Sequence, residues 1–132
     1  MILALRTDKP EAELYIIDAK RVIKKVQWQA HRELADTLLT QITKLAEATK
    51  ITLNDLSGII IYTGSGSFTG LRIGTTVANT LAYSLNIPIC SARGNSWLQD
   101  GRIALKNAKT GEFIVPQYDS EPNITQPKSP SA

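Results

Sequence analysis

Three consecutive isoleucines, Ile59-Ile60-Ile61, run through Tyr62 into Gly64-Ser65-Gly66-Ser67-Phe68-Thr69-Gly70-Leu71-Arg72-Ile73-Gly74, and no other feature limits the fold of this chain as strongly. A short continuous apolar run reads as a strand buried on both faces. A glycine-rich turn follows it, and then a long segment of apolar residues at helical spacing. Strand, turn and helix in that order form the repeating unit of α/β sheets. Gly64, Gly66 and Gly70 permit backbone angles or close approaches that a Cβ forbids. Ser67 and Thr69 are both candidate caps for the helix. The turn has two readings: a cradle of backbone N–H groups for an anion, or a sharp corner with no ligand. Its spacing excludes the familiar phosphate loops. No lysine follows the last glycine of the turn, and no third glycine falls at the dinucleotide-binding offset. Phe68 stands where a nucleophile elbow starting at Gly64-Ser65-Gly66-Ser67 would need its closing glycine.

The rest of the chain supplies partners for this unit. Ile2 to Leu5 reads as a buried strand, and Thr7 to Pro10 as a turn at which Pro10 ends pairing. Leu14 to Ile17 and Val22 to Trp28 read as two strands joined through Asp18-Ala19-Lys20 as a hairpin. Arg32 to Thr49 is the clearest helix, with Leu34, Leu38, Ile42 and Leu45 on one stripe and Ala35, Leu39 and Ala46 beside it. Asp55 to Tyr62 is the fourth strand, Leu71 to Leu85 the second helix, and Ile87 to Ser91 the fifth strand. Beyond Arg93 the pattern weakens. Ser96-Trp97-Leu98 reads as a helical turn, Arg102 to Lys106 as a brief apolar-basic stretch, and Glu112 to Pro116 as a last strand. From Asp119 onward, Pro122, Pro127 and Pro130 among polar residues read as a flexible tail. The fold class expected is therefore α/β: a mixed sheet of about five strands with two main helices on one face.

Chemistry is thin. The net charge of +3 permits nucleic-acid contact without arguing for it. Lys20, Arg21, Lys24 and Lys25 cluster, but among apolar residues, as on the solvent face of a hairpin. His31 is the only histidine, and a metal site needs at least three matched ligands. Asp8, Glu11, Glu13 and Asp18 all lie near turns and read as solvated. No catalytic residue, metal or cofactor is assigned. Cys90 is the only cysteine, so an internal disulfide is impossible and a reducing compartment fits. Its setting beside Ile87-Pro88-Ile89 marks a buried strand thiol. Lys9, Glu11 and Glu13 interrupt any early apolar run, so no signal peptide or membrane span is read, and a cytoplasmic protein is expected.

The second helix carries two adjacent stripes. Gly70, Gly74, Ala78 and Ala82 are small; Ile73, Val77, Leu81 and Leu85 are large and apolar. Small residues four apart let another helix approach closely. The two helices together offer more apolar face than one sheet needs. The surplus is either an interface with another chain or packing of this helix on the first one and on the sheet.

The stretch from Gly64 to Gly74 resembles the signature of the TsaB (YeaZ) family, which reads glycine–proline–glycine–serine–phenylalanine–threonine–glycine–leucine–arginine. His31-Arg32-Glu33 with Leu38-Leu39 is similar to the family's helix start, and Ile87-Pro88 with Cys90-Ser91 to its next strand. The resemblance covers roughly residues 1 to 98. It implies a ribonuclease H-like fold of the actin and Hsp70 type. It also implies a part in making threonylcarbamoyladenosine in tRNA, as a non-catalytic scaffold for a TsaD-type catalytic subunit. Partners implied are that subunit and a TsaE-like ATPase, with a homodimer when alone and an indirect contact with tRNA, while the scattered basic residues leave direct tRNA binding open. The family pairs through its two N-terminal helices. This places Leu34, Leu38, Ile42, Leu45, Gly70, Ile73, Gly74, Val77, Ala78 and Leu81 at the partner face. Gly64, Ser65, Gly66, Ser67, Phe68, Thr69, Gly70, Leu71 and Arg72 form the loop, where Arg72 meets an acid on the partner or a loop carbonyl.

Three departures stand out. Ser65 replaces a proline. Arg6 stands where the fold usually holds an aspartate for a metal-bound phosphate. The family's second domain is almost entirely missing: residues 99–118 read as a remnant with a last strand, 119–132 as a tail, and Phe113 to Lys128 resembles the family's extreme C-terminus. The alternative is a nucleotide-binding or phosphoryl-transfer enzyme of the same fold, which would need a carboxylate at the first turn and a second lobe.

Overall fold

A computed structural model describes residues 1–64 and 68–115. The elements are β1 (Ile2–Arg6), β2 (Glu11–Ile17), β3 (Val22–Gln29), α1 (Leu34–Ala48), β4 (Gly58–Tyr62), α2 (Phe68–Leu85), β5 (Ile89–Ala92) and α3 (Trp97–Leu105), with 3₁₀ turns at His31–Glu33 and Leu53–Asp55. One five-stranded sheet has the order β3-β2-β1-β4-β5. β1 pairs antiparallel with β2 and parallel with β4; β2 and β3 are antiparallel, β4 and β5 parallel. The expected mixed sheet is present.

Its centre follows from the apolar runs. Every residue of β4 is buried, as are Leu3, Ala4 and Leu5 of β1. Alternation then sends side chains to opposite faces. Leu3, Leu5, Leu14, Ile16, Ile59 and Ile61 join α1 and α2 in one core. Ala4, Tyr15, Ile17, Ile60, Tyr62 and Cys90 form a second core with Trp97 of α3. Trp97 meets Tyr15 and Tyr62 edge-on, each with ring centroids 5.6 Å apart, the geometry that ring quadrupoles favour.

The β2–β3 hairpin closes on its acid. Asp18 Oδ1 accepts the Lys20 and Arg21 N–H groups at 2.8 and 2.9 Å. These two bonds hold its carboxyl below the usual range. Pro10 ends pairing and then serves as an anchor: its carbonyl accepts the N–H groups of Ala30 and His31 at 2.9 and 3.2 Å, tying the entry of α1 to the first turn. β4 begins at Gly58 rather than Asp55, because Asp55 Oδ2 accepts the Thr52 N–H at 2.8 Å and holds a 3₁₀ turn there.

Two expectations after β5 need correction. The separate turn and apolar-basic stretch form one helix, α3, packed on the face opposite α1 and α2. Gly101 hides it from sequence reading, since glycine in a helix costs about 1 kcal/mol. Its absence of a side chain is required, because a Cβ there would lie 2.6 Å from Ile60. The last strand does not form over Glu112 to Val115. The carboxamide of Asn79 binds Ile114 instead of a neighbouring strand. Pro116 and the expected tail lie outside the described residues.

Candidate functional site

The C-terminal ends of β1 and β4 and the first turn of α2 meet at one edge of the sheet. Thr7 follows β1 and is 1% exposed; its hydroxyl donates to the Gly70 carbonyl at 2.8 Å. A Cβ on Gly74 would sit 2.0 Å from the Thr7 Oγ1. The close approach that Gly74 allows is thus to Thr7 of its own chain, just past β1. Gly64 is similarly confined by the Tyr62 ring. Ser65, Gly66 and Ser67, on which the anion-cradle reading rests, lie outside the described residues. Thr69 and Arg72 are exposed on the first turns of α2, and Leu71 is buried.

Beside this junction lies a cluster that sequence reading placed in solvent. Asp8 and Glu13 are buried. Arg6 donates to Asp8 at 2.9 and 3.3 Å and lies over the Tyr62 ring, 3.9 Å from its centroid. Glu13 accepts the Tyr15 hydroxyl at 2.5 Å and the Lys9 ammonium at 3.2 Å. Burial pushes the Glu13 carboxyl up, but the Tyr15 and Lys9 bonds outweigh it and the net shift is downward. Tyr15 moves the other way, raised by burial and then by its bond to Glu13. For Arg6, burial opposes the charge, while Asp8 more than restores it. β2 is buried on both faces from Ala12 to Ile17, yet a glutamate within it looks solvated until its partners are known. Glu11 is half-buried and Asp18 sits at the hairpin tip. His31 is exposed at the entry to α1. Cys90 is buried and its thiol is pushed up to about 11 by that burial.

The helical face divides the expected interface residues into two sets. Leu34, Leu38, Ile42, Leu45 and Ala78 fill the core beneath the helices. Ile73, Val77 and Leu81 are only half-buried. Ala35, Thr69, Arg72, Ile73, Thr76 and Val77 line a groove of about 300 Å³ between α1 and α2. Leu39, on the outer side of α1, is 53% exposed. A second hollow of about 370 Å³ lies on α2, lined by Thr76, Asn79, Thr80, Tyr83 and Phe113. Sequence reading gave Asn79, Tyr83 and Phe113 no part in a site. An unmatched aromatic on the polar side of α2 was the one available signal.

The family described as TsaD, tRNA N6-adenosine threonylcarbamoyltransferase, matches residues 26–93. The chain is 35% identical over 89 residues to the tRNA threonylcarbamoyladenosine biosynthesis protein TsaB of Buchnera aphidicola, spanning 67% of this chain and 42% of that protein. It is 28% identical over 102 residues to the Escherichia coli protein of the same name, spanning 70% of this chain and 44% of that one. The structure of YeaZ from Pseudomonas aeruginosa superposes with a TM-score of 0.65 at 26% identity, over 70% of this chain and 43% of that one. The chain belongs to the TsaB (YeaZ) family. The likeness to YeaZ also shows the ribonuclease H-like, actin-type fold expected for a TsaB-family chain. This chain spans less than half the length of the TsaB relatives described here. Among the described residues, no helix is long and apolar enough to cross a membrane.

Proposed function

We propose that this chain acts in threonylcarbamoyladenosine biosynthesis as a non-catalytic scaffold that binds a TsaD-type subunit across α1 and α2. The observation that carries the reading is the groove between those helices. Ile73, Val77 and Ala35 supply its apolar lining, and Leu39 of α1 is exposed. Partner helices use apolar grooves of this kind by inserting side chains at helical spacing. Leu34, Leu38, Ile42, Leu45 and Ala78 support the face from beneath, and Ile73, Val77, Leu81 and Leu39 meet the partner. Gly70 and Gly74 set the position of α2 on β1. Arg72, exposed and lining the groove, supports pairing with a carboxylate of the partner.

The strand-end cluster supports the non-catalytic part of the reading. Arg6 occupies the end of β1, engaged by Asp8 and Tyr62, and the two buried carboxylates nearby are already bonded within the chain. The test is the solution mass of the protein alone and mixed with the TsaD-type subunit from the same source. Wild type forms a dimer alone or a one-to-one complex. Val77→Asp and the surface variant Leu39→Asp abolish it, with folding followed by circular dichroism. A wild-type chain that stays monomeric and ignores the subunit overturns the reading.

A further inference from the structure

After α3 the chain returns to α2 on the side of β5, where Val115 sits beside Thr63, Ser91, Ala92 and Arg93. Asn79 holds this segment as a neighbouring strand would. Its Nδ2 donates to the Ile114 carbonyl and its Oδ1 accepts the Ile114 N–H, both at 2.9 Å. Both backbone groups of one residue are thereby satisfied by one side chain. Ile114 packs against the core under α2. Its two neighbours remain outside: Phe113 is 59% exposed and Val115 78%. The Phe113 ring lies 6.2 Å from that of Tyr83, itself 71% exposed.

The clamp thus orders a segment in which only one of three large apolar residues is covered. Holding such a segment in place costs conformational entropy, and apolar groups displayed together mark interaction surfaces. The surface is continuous with the α1–α2 groove, because the two hollows flanking α2 share Thr76.

We propose that the Asn79-clamped segment Phe113–Val115, with Tyr83, is the second half of the protein-binding face. The partner that lies in the α1–α2 groove reaches across α2 to the aromatic pair. This rests on the partner-binding reading above. The occupant is a helix of that partner laid over α2, with an apolar side chain for each hollow and an acidic one near Arg72. Asn79 is a positioning residue, acting through Phe113 rather than touching the partner.

The experiment measures the affinity of the TsaD-type subunit for wild type, Val77→Asp, Phe113→Ala, Tyr83→Ala, Asn79→Ala and the Asn79→Ala/Phe113→Ala pair, with amide exchange at Ile114 followed in each. Phe113→Ala and Tyr83→Ala each weaken the complex about tenfold, the scale of an interface anchor. Asn79→Ala speeds exchange at the Ile114 amide and weakens binding to a similar extent. The double variant binds no worse than Phe113→Ala alone, because coupled residues are non-additive. If Val77→Asp abolishes the complex while Phe113→Ala and Tyr83→Ala bind as wild type, the footprint ends at the α1–α2 groove and this inference falls while the scaffold reading stands. If Val77→Asp also binds as wild type, both fall. Additive losses from Asn79 and Phe113, or free exchange at Ile114 with unchanged affinity, overturn the positioning role.

Discussion

The two faces of the sheet solve different problems with the same strands. Under α1 and α2 the core is apolar apart from the buried Thr7 and Thr75, and Ile73, Val77 and Leu81 of α2 pack against it while only half-buried. Under α3 the core is aromatic, and toward the ends of β1 and β2 it passes into Arg6, Asp8, Glu13 and Tyr15, all bonded to one another or to Lys9. One face leaves apolar side chains exposed on its helices. The other closes its polar groups upon themselves. An apolar surplus and a satisfied polar cluster respond to different perturbations, so the contrast can be tested face by face.

The largest effect is expected inside the first face. Leu38 has no exposure, and Leu38→Ala removes roughly 2–5 kcal/mol of stability through lost burial and the cavity left behind. Leu39→Ala, one residue on, stays within about 0.5 kcal/mol in urea unfolding, because its side chain is half in water. Equal losses at the two positions would erase the division between inner and outer stripes. On the second face, Gly101→Ala drives a methyl against Ile60 and costs about 1–3 kcal/mol by overpacking. A neutral or stabilising result in thermal unfolding would mean that α3 is free to move off the sheet.

The smallest effect sharpens the electrostatic half. The folded Glu13 carboxyl titrates below its ordinary value of 4.5. The unfolded chain therefore takes up the proton first on acidification. The contribution of Glu13 is fully present above about pH 4.5, and it is lost as pH falls through the lower folded value. Glu13→Gln flattens that acid limb of the stability curve, and Tyr15→Phe reduces it by removing a donor to a buried carboxylate. An unchanged acid limb in both variants would show that the cluster is open to solvent.

Much of this was legible in the residues. Ile59-Ile60-Ile61 marked the buried strand beside β1, and Leu34, Leu38, Ile42 and Leu45 marked the inner stripe of α1, because burial imposes a period that composition records. Gly74 was read as small for the sake of another helix, and the structure places Thr7 against it. The α3 helix was missed because Gly101 lowers local helix propensity for a reason, contact with Ile60, that lies 41 positions away. Glu13 was misplaced because Tyr15 becomes its neighbour only when alternate residues of a strand share a face, and Asp8 because Arg6 turns onto it from the end of β1.

The sequence by itself determined the order of the five strands with α1 and α2, and the buried centre of the sheet. These rest on local periodicity and on backbone freedom, which neighbours in the chain decide. Only the tertiary structure decided which apolar residues remain outside after folding, that Thr7 lies against Gly74, and that Asn79 holds Ile114 from 35 positions away. Those outcomes depend on contacts between distant segments, and no local pattern encodes them.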